Sequence, residues 1–151
     1  MTKYAALVIL LASCGQPAEA QRPTVGPDTV VAWGVSQFFW GDELLVVDRD
    51  GTARYGFTPG HRDRGAEPLQ ASVRLPQIAI DRLHADLAAH HVCQLTSKRA
   101  GIPDEGKPAL RMRFPDLSCE VSLWDGEWND DPDAHACVQA IDRIRKVAQR
   151  K

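Results

Sequence analysis

The sequence predicts an α+β domain: a single antiparallel sheet, made of a meander plus a C-terminal hairpin, with two helices packed on one face. Three observations lead to this prediction. Apolar and polar residues alternate in several short segments, turn residues separate these segments, and two longer segments carry apolar residues at helical spacing. For this order of elements, the simplest packing is one sheet with both helices on the same face.

Four strands are predicted in the first half of the domain. Each is rich in β-branched and aromatic residues or alternates apolar with polar side chains, the pattern of a half-buried strand. They cover residues 30–40, 44–49, 52–57 and 69–75. Asp50-Gly51 predicts a two-residue hairpin turn between the second and third strands. Residues 58–68 contain two prolines and two glycines, which predicts an exposed loop before the fourth strand.

Two helices are predicted, one in the middle of the domain and one at its end. Pro76 fits the first turn of the first helix, which runs to about residue 92. The second helix begins with Asp131 as its N-cap and Pro132 in its first turn. The residues predicted to be buried recur at helical spacing; they are Ile80, Leu83 and Leu87 on the first helix, and Cys137, Ile141, Ile144 and Ala148 on the second.

A polar loop and a hairpin are predicted between the two helices. The loop covers residues 96–108 and is interrupted by glycine and proline. Apolar and polar side chains then alternate at 110–114 and 119–123, with Pro115-Asp116 turning the chain between the two strands. These strands complete the predicted sheet.

The N-terminus has the features of a bacterial export signal. A lysine precedes an unbroken apolar run at residues 5–12, which is too short to cross a bilayer that needs roughly 20 helical residues. At the end of this run, Leu11-Ala12-Ser13-Cys14 resembles the lipobox of bacterial envelope lipoproteins. The resemblance implies cleavage before Cys14 and lipidation of its thiol, so that the lipid bilayer is a partner through acylated Cys14.

The same resemblance implies the organisation of the chain. Residues 1–13 are the lipoprotein signal peptide, 14–28 a flexible tether and 29–151 a single α+β domain. Gly15, where an aspartate would mark inner-membrane retention, indicates a lipid-anchored location in the outer membrane with the domain facing the periplasm. The alternative is an ordinary secretory signal cleaved at the small-residue site Ala18-Glu19-Ala20.

Composition restricts the partners. The chain has a formal net charge of −2, and 44% of its residues are hydrophobic, enough for a folded core. Proteins that bind nucleic acid carry a basic face or a high isoelectric point, so the mild acidity argues against a nucleic-acid partner.

The cysteines predict one disulfide. Three cysteines remain in the domain after Cys14, and an oxidising periplasm favours a bond between two of them. We predict Cys93–Cys137, because both are expected at the sheet edge where the first helix ends and the second begins. Cys119 opens a hairpin strand and is expected toward the opposite edge. Cys119–Cys137 is the main alternative, since both residues lie on core faces.

Catalytic and metal-binding patterns are not recognisable in the sequence. His84 and His91 lie two helical turns apart, about 10 Å of rise, so they cannot chelate one ion. The acidic residues after 124 lack the glycine and glutamate of a calcium-binding EF-hand loop. No nucleophile motif or phosphate-binding loop occurs in the mature chain. We therefore expect no catalytic residues, no metal, no cofactor and no enzymatic activity.

Two functional interpretations follow. The favoured one is a non-catalytic envelope lipoprotein whose domain contacts another protein, with Trp124 and Trp128 as possible interface residues. Tryptophan after a strand also closes small cores, and the sequence leaves both roles open. The alternative is a ligand-binding or enzymatic lipoprotein that uses loops 58–68 and 96–108 around a pocket.

The order of elements, from the strand at Val30 through Leu75 into the first helix, also resembles that of small bacterial domains of unknown function and of emfourin-type protease inhibitors. The resemblance implies an α+β fold. It carries no functional residue onto this chain.

Overall fold

The computed structural model describes residues 23–37, 39–63 and 65–150. The predicted signal peptide and the lipobox with Cys14 lie outside the described residues. The described chain forms one six-stranded antiparallel sheet with helices packed against it, which confirms the α+β prediction. None of its helices is long and apolar enough to span a membrane.

The strands follow the predicted order. They are β1 (Thr29–Gln37), β2 (Gly41–Asp48), β3 (Thr52–Pro59), β4 (Leu69–Arg74), β5 (Ala109–Arg113) and β6 (Ser118–Ser122). The helices are α1 (Gln77–Ala89), α2 (Asp125–Asp130) and α3 (Pro132–Gln149), and single 3₁₀ turns occur at His61–Asp63 and Val92–Gln94. The spatial order of the strands is β4-β3-β2-β1-β5-β6, which places β4 and β6 at the edges.

The core lies between the sheet and the two long helices, on what we call the inner face. Alternate strand residues point toward it, including Val31 and Trp33 of β1 and Leu45 of β2. Leu83 and Leu87 of α1 pack into the same cluster, and so do Cys137, Ile141, Ile144 and Ala148 of α3. Both long helices therefore cover one face, as predicted, and we call the opposite side the outer face.

The turn between β2 and β3 is one residue longer than predicted. Three residues separate the strands, and the Gly51 N–H donates to the Asp48 carbonyl at 2.9 Å. Gly51 has φ +92°, in the left-handed region that glycine adopts without strain. The hairpin is therefore closed by a three-residue loop with glycine in the left-handed position, in place of a two-residue turn.

The final helix begins where the sequence predicts. The Asp131 carboxylate accepts hydrogen bonds from the Asp133 and Ala134 backbone N–H groups, and Pro132 occupies the first helical position. Helix α2, directly before it, has no counterpart among the elements predicted from the sequence. The segment is helical because Trp128 buries its ring in the core while Glu127 accepts a hydrogen bond from the Trp124 N–H at the N-terminus of the helix.

The disulfide joins Cys93 to Cys119, with Cα atoms 5.8 Å apart, and Cys137 is a free, buried thiol. The predicted Cys93–Cys137 bond is therefore wrong, as is the Cys119–Cys137 alternative. The C-terminus of α1 does meet the N-terminus of α3, with His90 Nδ1 3.0 Å from Asp133 Oδ1. The chain then turns at His91, which has φ +47°, and its 3₁₀ turn packs against edge strand β6. That turn brings Cys93 to Cys119.

Contacts with the sheet begin before the predicted domain boundary at residue 29. Pro23 is buried against Gly56 on the outer face of β3. The Asp28 carbonyl accepts the Arg49 N–H at 2.8 Å, and the Gly26 N–H donates to Thr29 Oγ1 at 3.0 Å. Residues 23–28, within the predicted tether, thus pass from β3 to β1 across the outer face.

Candidate binding groove on the outer face of the sheet

A groove crosses the outer face where three neighbouring strands present little side-chain volume. Gly34 of β1 pairs with Leu44 of β2, which in turn pairs with Gly56 of β3. The two glycines add no side chains beside the leucine, and the row forms the floor of a partly open cavity of about 430 Å³. Glycine inside a strand often marks a close approach of another chain or ligand.

The walls of the groove are polar. Ser36, Asp42 and Thr58 form the next row of side chains toward the β1–β2 turn. Ser36 Oγ donates to Asp42 Oδ1 at 2.6 Å. Lys107, just before β5, adds a cation to the lining. The groove therefore offers an apolar floor together with donors and acceptors at its margin.

Gln70 of β4, opposite Gly56 in the strand pairing, completes the groove. Its Oε1 is buried and accepts no hydrogen bond from any described residue. An unsatisfied buried acceptor costs about 1–3 kcal/mol, so a bound N–H donor at this position would be favoured.

Pro23 lies in the groove already. An ideal Cβ built on Gly56 would lie only 2.6 Å from Pro23 Cδ and 2.9 Å from its Cγ. The proline ring therefore occupies the space that any side chain at position 56 would need. The groove thus accommodates a non-helical, proline-containing segment, in this case from the same chain.

Of the two loops that the sequence predicts around a pocket, loop 96–108 reaches this groove through Lys107. Residues 58 and 59 of the other predicted loop belong to β3, and Thr58 lines the groove from that strand. The floor comes from β1, β2 and β3, which sequence reasoning missed. Gly34 and Gly56, inside predicted strands, were the available signal, but their pairing with Leu44 depends on a register that the sequence does not specify.

Glu127 holds the second loop in place. Its carboxylate accepts hydrogen bonds from the Lys98 N–H at 2.6 Å, the Arg99 N–H at 3.2 Å, the Trp124 N–H at 3.0 Å and the Ser97 hydroxyl at 2.7 Å. Partial burial raises the pKa of this carboxyl, but the hydrogen bonds outweigh it and lower the pKa to about 2. The carboxylate is ionised at neutral pH and fixes the loop to α2.

Glu105 makes a second attachment in the same loop. The Arg99 guanidinium donates to both of its carboxylate oxygens, and the Gly126 N–H donates at 2.8 Å. These bonds lower the pKa of Glu105 to about 2. Because Gly106 and Lys107 come directly after Glu105, the pair of carboxylates positions this wall of the groove.

The two predicted interface tryptophans support the fold. Trp128 is 1% exposed, its ring meets Trp33 edge-on at 4.9 Å, and its Nε1 donates to the Pro108 carbonyl at 3.1 Å. Trp124 is half-buried, and its Nε1 donates to the Arg99 carbonyl at 3.2 Å. Trp128 therefore closes the core, and Trp124 packs on loop 96–108.

The remaining reactive side chains do not converge. Among the described residues, no group of three or more His, Cys, Asp or Glu side chains has an arrangement that could hold a metal ion. Burial, with Asp133 and Asp131 nearby, raises the pKa of the Cys137 thiol to about 12. The thiol is therefore protonated at neutral pH and is a poor nucleophile.

No model of a known protein family matches the chain, and no curated protein is significantly similar to it. The lipobox and emfourin-type resemblances therefore stay predictions. What can be proposed about function depends on the groove and on Cys14.

Proposed function

We propose that the protein is a lipoprotein of the bacterial envelope, anchored by acylated Cys14, whose periplasm-facing domain is a non-catalytic interaction module. The partner is an extended segment of another envelope protein, bound in the outer groove. One observation supports this proposal above the others: the groove receives Pro23 of its own chain against Gly56. A surface that accommodates one extended segment has the shape to accept another.

The chemistry of the groove suits a polypeptide. Leu44, between Gly34 and Gly56, offers an apolar contact at the floor of the groove. Polar side chains at the margin fix orientation, as in most protein–protein interfaces.

The tether keeps this interaction near the membrane. Pro23 is held on the sheet, so only eight residues, or nine Cα–Cα steps, separate it from Cys14. A fully extended chain spans at most about 3.3–3.6 Å per residue, which limits this connection to about 30 Å. The proposed partner is therefore a protein at or close to the same bilayer.

A second candidate is a small ligand in the same groove. The volume of about 430 Å³ falls within the range of ligand sites, and Thr58 and Lys107 supply polar groups. The groove is only partly enclosed. This geometry favours an extended segment over a small, fully enclosed molecule.

Site-specific photocrosslinking in living bacteria tests the proposal. A benzoylphenylalanine residue at Thr58, at the groove margin, should give one covalent adduct with an envelope protein. Adding Leu44→Arg should remove this adduct, because the charged side chain fills the floor of the groove. The matched control is the same photoreactive residue at Ile78, which is 74% exposed on α1 of the opposite layer.

The anchor is tested in the same strain. Labelled palmitate should enter the wild-type protein and not the Cys14→Ala variant, which should accumulate as a precursor. Absence of an adduct from position 58, or an adduct that persists with Leu44→Arg, would contradict binding in the groove. Equal labelling of both proteins would contradict acylation at Cys14.

A further inference from the structure

A separate surface lies at the end of the sheet where β1 turns into β2. Trp40 is 49% exposed there, and the exposed Arg62 places its guanidinium over two rings, 4.9 Å from the centroid of Trp40 and 5.4 Å from that of Phe39. We call Phe39, Trp40 and Arg62 the aromatic tip. It combines an exposed apolar ring with a cation at one extremity of the molecule.

The tip is built on a fixed backbone. The Arg62 N–H donates to the Phe39 carbonyl at 3.0 Å, which joins the β1–β2 turn to the chain that follows β3. Gly41 has φ +106°, and a Cβ at this position would lie 2.1 Å from the Thr58 carbonyl oxygen. The sharp turn and the close approach require glycine here. The Trp40 ring is therefore held out from the sheet by the surrounding backbone.

The chemistry of the tip matches a lipid interface. Tryptophan concentrates at the boundary between headgroups and acyl chains, because its ring is apolar and its N–H remains hydrated. The guanidinium of arginine pairs with phosphate oxygens in two-point geometry. An exposed tryptophan stacked under an arginine can therefore insert a ring below the phosphates while the cation binds them.

The tether places the tip within reach of the bilayer. Pro23 packs on Gly56 of β3. Gly60, which lies beside the tip, follows Gly56 by four residues, so the two positions are roughly 13 Å apart. The eight residues between Pro23 and Cys14, nine Cα–Cα steps in all, can span about 30 Å, more than twice that distance. The lipid anchor and the tip can therefore touch one membrane at the same time.

We propose that the aromatic tip inserts into the phospholipid headgroup region of the bilayer that holds Cys14. The identity of that bilayer rests on the proposed acylation of Cys14; the affinity of the tip for lipid does not. The anchor gives the tip a high effective concentration at the surface, so even a weak contact is populated. Two attachment points orient the domain, with the β1–β2 end against the membrane and the outer groove facing sideways.

Quenching by brominated lipid tests this proposal. The full-length acylated protein is reconstituted into vesicles of phosphatidylethanolamine and phosphatidylglycerol, with and without phospholipid brominated in its acyl chains. Bromolipid should quench part of the tryptophan fluorescence of the wild type. Trp40→Phe should lose most of this quenching, and the matched control Trp124→Phe should retain it. Arg62→Glu should lower it, because the glutamate repels anionic phosphate.

The outcomes separate the tip from the anchor. Acylated protein that floats with the vesicles but shows no quenching, or equal quenching in Trp40→Phe, overturns the tip contact and leaves the anchor intact. If Cys14 is not acylated, the unanchored protein is titrated with the same vesicles. Quenching of Trp40 then supports the tip without the anchor, and its absence overturns the tip. A tip that instead binds protein gives no bromolipid quenching.

Discussion

The two faces of the sheet are built from neighbouring residues but have different roles. Leu45 points inward and is completely buried, whereas Leu44, one residue earlier, points outward and forms the floor of the groove. The inner face is closed by α1 and α3 and is crosslinked at its edge by a disulfide. The outer face is shaped by glycines, hydrogen bonds and ion pairs. Most of the buried apolar side chains therefore lie on the inner face, although Ala32 and Val46 are also buried on the outer face.

The largest loss of stability is expected for a substitution at Trp128, in the core on the inner face. Trp128→Ala removes a 1% exposed ring, its edge contact with Trp33 and its hydrogen bond to Pro108, and should lower the free energy of unfolding by about 3–5 kcal/mol. Leu44→Ala, on the outer face, should cost less than about half of that. Urea unfolding of both variants measures the difference. Equal losses in the two variants would mean that the inner and outer faces contribute equally to the free energy of unfolding.

Reduction of the disulfide should cause the next largest loss of stability. A bond between residues separated by 26 positions stabilises by roughly 3–4 kcal/mol in the chain-entropy model. Reduction should therefore lower the melting temperature, and Cys93→Ser and Cys119→Ser should behave alike. In Cys137→Ala, reduction should produce the same drop as in the wild type. A peptide map that contains a bond to Cys137 would contradict this pairing.

The sequence could predict the sheet and both long helices because their signals are local. Alternating residues identify β4, β5 and β6, and Asp131-Pro132 identifies the start of α3. The short α2 was missed because its acidic residues favour a loop when read alone. Its helical conformation depends on the burial of Trp128 and on hydrogen bonds from a distant segment to Glu127.

The disulfide and the groove depend on non-local geometry. The Cys93–Cys119 bond follows from the left-handed conformation of His91, which directs the chain across β6 and for which the sequence gives no signal. The groove requires Gly34 and Gly56 to flank Leu44, and that alignment exists only in one register of three strands. Neither feature can be derived from the residues of a single segment.

Acid should affect the outer side through Glu105 and Glu127. Both carboxyls have a folded-state pKa of about 2, below the ordinary 4.5. Since the folded pKa is depressed, their contribution is complete above pH 4.5 and is lost as the pH falls toward 2. The free energy of unfolding, measured in urea across this window, should decrease, and this decrease should be smaller in Glu105→Gln and Glu127→Gln. The control is Glu67→Gln, on the other loop.

At acid pH, loop 96–108 should lose its contacts before the core unfolds. At pH 3 the protection factors, which are corrected for the intrinsic pH dependence of exchange, should fall in residues 96–108, where Lys98 and Arg99 donate their backbone N–H groups to Glu127, while the inner strands stay protected. Simultaneous loss of protection in the loop and in β1 would show that the loop network and the core form one cooperative unit.

The smallest expected effect is at the groove itself. Gly56→Ala places a Cβ within 2.6 Å of Pro23 Cδ, so the proline ring has to leave the groove. Alanine fits a strand better than glycine by roughly 0.5–1 kcal/mol, which offsets part of the lost contact, so global stability should change by less than about 1 kcal/mol. Hydrogen exchange should nevertheless increase in the segment before β1, where the Gly26 N–H bonds to Thr29 Oγ1.

Gly65→Ala is the matched control for this substitution, because nothing lies within 4 Å of a Cβ at that position. Its exchange pattern should equal that of the wild type. If Gly56→Ala leaves exchange before β1 unchanged, Pro23 does not hold this segment on the sheet, and the free tether is longer than eight residues. If instead the substitution lowers protection in the inner strands, the faces are coupled. Faster exchange confined to residues 24–28 would show that Pro23 can leave the groove while the core stays closed.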